Sequence, residues 1–314
     1  MAKRIVFMGT PSFSVPILQA LADQYQILGV VTQPDRPVGR KRQLAASPVK
    51  QAAEKLGLPV LQPEKLTQSS AMDQIIAWQP DFIITAAYGQ FLPEKLLQAA
   101  RIGAINVHGS LLPKYRGGAP VQYALLNGDA ETGITIMYMV KAMDAGEMLA
   151  QASIPITQND DTGTLFQKLS QVGCDLLLAT LPKLINQTIT PVAQDESQVV
   201  LAPTLKREDE QLDLTQPAMV VDRKIRALRP HPGAYLLVKG QRLKIWQAVP
   251  LQEKTTATPG TIVSRSKHAL CVAAGQGTIL SLKTVQPAGK PQQDISAYLN
   301  GHQELVSGGE LLDK

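Results

Sequence analysis

Short, nearly all-apolar runs separated by helical stretches set what the first half of this chain can fold into. Arg4–Met8 (RIVFM), Ile27–Val31 (ILGVV), Phe82–Thr85 (FIIT) and Ala104–Val107 (AINV) have the length of strands buried on both faces. Between the first two, Ile17, Leu18 and Leu21 recur at helical spacing within Val15–Ala22. Ser47-Pro48 supplies an N-cap and an N1 proline for a helix running to about Leu56. Alternating strand and helix predicts an α/β domain, a doubly wound and mostly parallel sheet. Such sheets bind ligands beyond the C-terminal ends of their strands. The first of those turns, Gly9-Thr10-Pro11-Ser12-Phe13, has one glycine only, so it is not a dinucleotide fingerprint.

The second half has a different pattern. Ala218–Leu228 is helical, and Ala234–Val238, Leu243–Trp246, Gly260–Val263, Leu270–Ala273 and Thr278–Val285 are short strands between turns. Five strands at this spacing predict a small OB-like β-barrel. The 314 residues suit two domains. The expected division is a catalytic domain at 1–189, a linker at 190–205 and a C-terminal β-barrel at 206–314. Charge is divided the same way. Residues 1–205 balance sixteen Lys and Arg against sixteen Asp and Glu, whereas 206–314 hold fifteen against ten, so the whole excess of +5 is C-terminal. A solvated basic surface and a footprint for nucleic acid both fit that excess.

Two scattered cysteines, Cys174 and Cys271, exclude a disulfide framework. The apolar run after Lys3-Arg4 is too short for a signal peptide, and no stretch is long enough to cross a bilayer. A cytoplasmic location follows as the expectation, with no membrane contact. No heptad or interface signal is present, so a monomer is expected. Four histidines and two cysteines lie too far apart for a metal set, and neither a P-loop nor GxSxG occurs.

Residues 105–146 are the densest in reactive groups. Asn106 and His108 lie two apart at the end of an apolar run, so on a strand they share one face while Ile105 and Val107 take the other. His108 is also the first histidine of the chain. It is either a hydrogen-bonded structural histidine or one that projects into a site. Pro113 restricts Leu112 to extended geometry and so stiffens the turn Gly109–Pro113. Arg116 is a ligand contact or a structural ion-pair partner. Asp144, in a tight Asp-Ala-Gly turn, is an Asx-turn residue or the carboxylate that orients His108.

The segments NVHGSLLP, RGGAP, TGIT and MDAGEM together resemble the folate-dependent formyltransferases, and the likeness extends from residue 4 to about 290. The loop TQPDRPVGRKRQLAASPVK (32–50) and the C-terminal extension with VQPAGK (285–290) are similar to those members that act on aminoacylated tRNA. The chain departs from the usual pattern at Gly118, Ala145 and Lys41, none of which removes a reactive side chain.

The resemblance implies a transferase that moves the formyl group of 10-formyltetrahydrofolate, a cosubstrate, to the α-amine of methionyl initiator tRNA for translation initiation. It implies Asn106 and His108 as oxyanion donors and Asp144 as the group that keeps His108 charged and helps remove the amine proton. It implies Ser110, Leu111, Leu112 and Pro113 as the tetrahydrofolate stretch, with Tyr88 and Gly89 beside the pterin, and no permanently bound cofactor or metal. Arg36, Arg40, Lys41 and Arg42 fall in the segment expected to be a mobile, cationic loop entering the acceptor end. Arg223 and Lys224 of the tail are further expected tRNA contacts. Two rivals remain at this stage. One is a formyltransferase or hydrolase for a small substrate; the other is a non-catalytic RNA-binding module.

Overall fold

The computed structural model describes residues 2–39 and 42–312. The chain divides into two compact units, one of residues 1–120, 131–155 and 166–203 and the other of residues 121–130, 156–165 and 204–314. The first strands and helices are β1 (Arg4–Gly9), α1 (Val15–Gln24) and β2 (Gln26–Val31). A hairpin of β3 (Arg36–Val38) and β4 (Gln43–Ala45) precedes α2 (Pro48–Lys55), β5 (Val60–Leu61), α3 (Ser70–Ala77) and β6 (Phe82–Ala86). Then come α4 (Glu94–Leu97), β7 (Gly103–His108), β8 (Lys114–Arg116), α5 (Pro120–Asn127), β9 (Glu131–Tyr138), β10 (Met148–Pro155), α6 (Thr162–Ile185) and β11 (Val200–Leu201).

Seven strands of the first unit form one sheet in the order β10-β9-β7-β6-β1-β2-β5. From β5 to β7 all neighbours are parallel; β9 and β10 continue the sheet antiparallel. The central strands are buried along nearly their whole length, as continuous apolar runs require. The edge strand β10 instead alternates between covered and exposed positions, so its apolar signal is diluted and gives no strand by inspection. Val6, Met8, Val31, Ile83 and Leu96 lie in one apolar cluster of this unit. Ser47 caps α2 as its sequence predicts, its hydroxyl accepting from the Lys50 N–H.

Two expectations change. Residues 190–203 are not a free linker. β11 pairs in parallel with β8, and Val192 bridges Met148 in both directions, so this segment is part of the first unit. Two-residue pairings of this kind satisfy backbone groups without any hydrophobic period, so they leave little trace in a sequence. The segment expected to be a mobile loop after β2 contains the β3–β4 hairpin, in which Arg36 faces Ala45 and Pro37 faces Leu44.

In the second unit α7 (Ala218–Ala227) is followed by β12 (Tyr235–Val238), β13 (Gln241–Leu251), β14 (Ile262–Ser266), β15 (Ala269–Ala274), β16 (Thr278–Pro287), β17 (Gln293–Asp294) and α8 (Ile295–Asn300). The strands form an antiparallel sheet ordered β12-β13-β16-β15-β14, with β17 added on β16. Every strand predicted for this half has its counterpart here. Ala218, Val221 and Ile225, three and four residues apart on α7, are buried with Leu236, Ile245 and Leu282 in one core.

Candidate active site

β7 ends on the two side chains that its apolar run brings forward. Asn106 and His108 occupy alternate positions of the strand and therefore one face of the sheet. Thr85, paired with Asn106 on the neighbouring strand, donates its hydroxyl to Asn106 Oδ1 at 2.8 Å. That leaves the amide N–H groups as the free end of Asn106, and among the described residues they have no acceptor.

His108 is buried and held at both ring nitrogens. Nε2 lies 2.9 Å from the carbonyl oxygen of Tyr115. A carbonyl only accepts, so Nε2 carries a proton and donates it there. Nδ1 faces Asp144 Oδ1 at 3.7 Å. The second carboxylate oxygen of Asp144 accepts from the Gly117 N–H at 2.9 Å. Tyr115 on β8 and Asp144 in its turn both have left-handed backbone, at φ 67° and 49°, and each presents a group to the imidazole. Two polar side chains of one strand and a carboxylate from a distant turn therefore meet at the C-terminal end of β7, the place where sheets of this kind hold ligands.

Arg116 is only 6% exposed. Its Nε donates to Gln194 Oε1 at 2.9 Å, and its two terminal nitrogens hold Glu196 in a bidentate pair at 2.7 and 3.2 Å. The hydrogen bond from Arg116 holds the Glu196 carboxyl below its ordinary range. Of the two readings of Arg116, the ion pair is the one present. Gln194 in turn donates to the carbonyl oxygens of Asp144 and Gly146, each at 2.8 Å. Gln194, Glu196 and Thr85 were not legible as site residues, because single polar residues outside any motif carry no period.

The turn after His108 is braced from within. Ser110 is fully buried and donates to the Lys114 carbonyl at 2.6 Å, while Thr135 donates to the Ser110 carbonyl at 2.7 Å. Leu112 is also buried, its N–H bonded to Thr135 and its carbonyl to Gln151. Leu111 and Pro113 are the half-buried members of the stretch. Tyr88 is core, with a buried hydroxyl that has no partner; burial pushes that phenol up to about 12. Its carbonyl accepts from Thr10 and Gln33, which fixes the exposed Gly89 that follows.

Of the expected tRNA contacts, Arg40 and Lys41 lie outside the described residues. Arg36 is exposed and pairs with Glu64, and Arg42 is exposed at φ 48° beside β4. In the second unit Lys224 donates to the Gln211 carbonyl, and the Arg223 guanidinium packs directly over Gly128. Neither contact pairs the cation with a carboxylate.

Residues 3–181 match the formyl transferase family, and residues 204–303 match the formyl transferase C-terminal domain family. A methionyl-tRNA formyltransferase of Limosilactobacillus fermentum is 59% identical over 99% of both chains. The chain belongs to the methionyl-tRNA formyltransferase family. The methionyl-tRNA formyltransferase of Latilactobacillus sakei subsp. sakei is 60% identical over 98% of this chain and 96% of its own. Among solved structures, HypX from Aquifex aeolicus in complex with tetrahydrofolic acid matches 98% of this chain and 49% of its own, with a TM-score of 0.66 at 16% identity. The sugar 3N-formyl transferase WlaRD matches 93% of this chain and all of its own, with a TM-score of 0.68 at 16% identity. At that identity the two structures speak for the fold. As in its family, the chain is a formyl-group transferase. Among the described residues no helix is long and apolar enough to cross a membrane.

Proposed function

We propose that this chain transfers the formyl group of 10-formyltetrahydrofolate to the α-amine of methionyl initiator tRNA, as a monomer in the cytoplasm. The observation that carries the chemistry is the clamped imidazole: His108 Nε2 donates to Tyr115 O, and Nδ1 faces Asp144 across 3.7 Å. The amine attacks the formyl carbon and creates a tetrahedral oxyanion. Asn106, with its carbonyl end engaged by Thr85, offers N–H groups to that oxygen. His108 offers the Nδ1 proton. A single well-aimed donor of this kind is worth about 3–4 kcal/mol in the transition state. Asp144 holds the imidazolium and accepts the proton the amine must lose. His108 gives the departing folate nitrogen a proton as the C–N bond breaks, and the proton held by Asp144 restores the ring. Leu111 and Pro113, with the backbone at Tyr88 and Gly89, are the folate contacts in this reading; Ser110 and Leu112 shape the turn from inside. Arg36, Arg40, Lys41 and Arg42 meet the acceptor end of the tRNA.

The relatives' names support the tRNA acceptor. A formyl-transfer assay with methionyl initiator tRNA against free methionine, an amino sugar and a ribonucleotide amine tests it. Transfer to the charged tRNA is expected at least about 100-fold above any small amine, with a KM that rises steeply with salt as several phosphate contacts require. Equal transfer to a small amine overturns the acceptor assignment.

A further inference from the structure

The turn that carries Asp144 is held from behind by a segment far away in the chain. Residues 190–203 run back along the first unit. Val192 bridges Met148, Ala202 N–H donates to Arg116 O at 2.7 Å, and Ala119 N–H donates to Ala202 O at 3.1 Å. Gln194 sits in the middle of this strap, 9% exposed. Its one amide nitrogen donates to two carbonyls of the turn, those of Asp144 and Gly146. Its oxygen accepts from Arg116, whose charge is in turn neutralised by the exposed Glu196. The strap also seats the other partner of the Asp144 carboxylate. Gly117 has φ 128°, and a Cβ there would lie 2.5 Å from Ala202 O. So the strap touches both the backbone of the Asp144 turn and the residue whose N–H the carboxylate accepts.

We propose that Gln194 and Arg116 are positioning residues for Asp144. The amide pins the left-handed turn from which the carboxylate reaches His108, and the guanidinium fixes which end of the amide faces that turn. An Asn or Gln side chain is ambiguous in its two ends, and a donor-only group at the oxygen removes the ambiguity. Without it, the nitrogen that must face two carbonyls can rotate away. This inference rests on the reading of Asp144 as a reacting group.

A double-mutant cycle separates positioning from general support. Gln194→Met keeps length and volume and removes both donors. It is expected to lower kcat for formyl transfer about tenfold, with KM for the charged tRNA and for the folate within about twofold. In an Asp144→Asn background, followed by single-turnover transfer of labelled formyl, the same change is expected to cost less than about twofold. A residue that merely supports the fold would cost the same in both backgrounds, and that result overturns the inference. Arg116→Lys, which keeps charge but loses the fork, serves as the second variant. Its expected cost is about threefold in the wild-type background and none beside Asp144→Asn; wild-type kcat in Arg116→Lys overturns the guanidinium's part. If Asp144→Asn itself transfers formyl at wild-type speed, the reacting role of Asp144 fails and the inference falls with it.

Discussion

Two arginine-centred networks, one in each unit, use the same residue types to different ends. In the first unit, Arg116 holds Gln194, Gln194 holds the turn of Asp144, and Asp144 faces a histidine nitrogen. In the second, Arg226 pairs with Asp222 at 2.8 Å and with the Asp160 carbonyl, while Arg229 pairs with Asp161 at 2.6 Å and with the Trp246 carbonyl. The second network closes on itself, and every named group in it ends on a carbonyl or a carboxylate. The first ends on a group that can gain and lose a proton. Formal charge did not distinguish them. The basic C-terminal third looks like a field of free cations, yet Arg226 and Arg229 neutralise carboxylates in their own unit. What separates a site from a brace is where the chain of partners stops.

Four measurements break or sharpen this contrast. The largest effect is expected at the open end of the first network. His108→Ala should cut kcat/KM for formyl transfer at least about 100-fold while tRNA binding, followed by filter retention, stays within about twofold. Undiminished turnover would strip the imidazole of its role. The closed network should answer in stability instead. Arg226→Ala leaves Asp222 uncompensated in a mostly buried position and should cost about 2 kcal/mol in urea unfolding, with turnover per folded molecule unchanged. A loss of tRNA affinity at undiminished stability would make Arg226 a phosphate contact after all.

A smaller effect, of the opposite sign, is expected at Tyr88, whose buried hydroxyl has no partner. Tyr88→Phe removes an unpaired polar group and should raise stability by up to about 1 kcal/mol. A raised KM for the folate would show that the hydroxyl serves the donor pocket. The smallest effect belongs to Glu304, held down to about 2 by a backbone N–H, Lys239 and His302. A carboxyl depressed in the folded state adds stability above its unfolded value of 4.5, and the gain is lost as pH falls through about 2. The melting temperature of wild type should therefore exceed that of Glu304→Gln slightly at pH 6, and the gap should close between pH 4.5 and 2. A gap that widens on acidification would contradict the assignment.

The parallel half of the first sheet was legible because continuous apolar runs bounded by Gly, Pro and capping residues admit few other structures. β1, β2, β6 and β7 all lie where those runs predict. The β-domain was legible for a similar reason, since its five strands are separated by turn residues. Asn106 and His108 could be paired from their spacing alone. Asp144 was placed beside them only by resemblance, because no local pattern states where a turn 36 residues later in the chain will pack. The strap at 190–203 was misread for a physical reason. Its attachments are backbone hydrogen bonds and one glutamine, and neither depends on hydropathy. The carboxylate partners of Arg226 and Arg229 were not legible, because a sequence shows charges without their counter-charges.

The bond from His108 Nε2 to a peptide carbonyl has one more consequence. A ring anchored in this way cannot pass a proton through itself, taking it on at one edge and releasing it at the other. Whatever hydrogen leaves the incoming nitrogen and whatever hydrogen reaches the departing one must travel through the single nitrogen that looks toward the carboxylate, or bypass the ring altogether. Transfers that both use that nitrogen share one doorway and must follow one another.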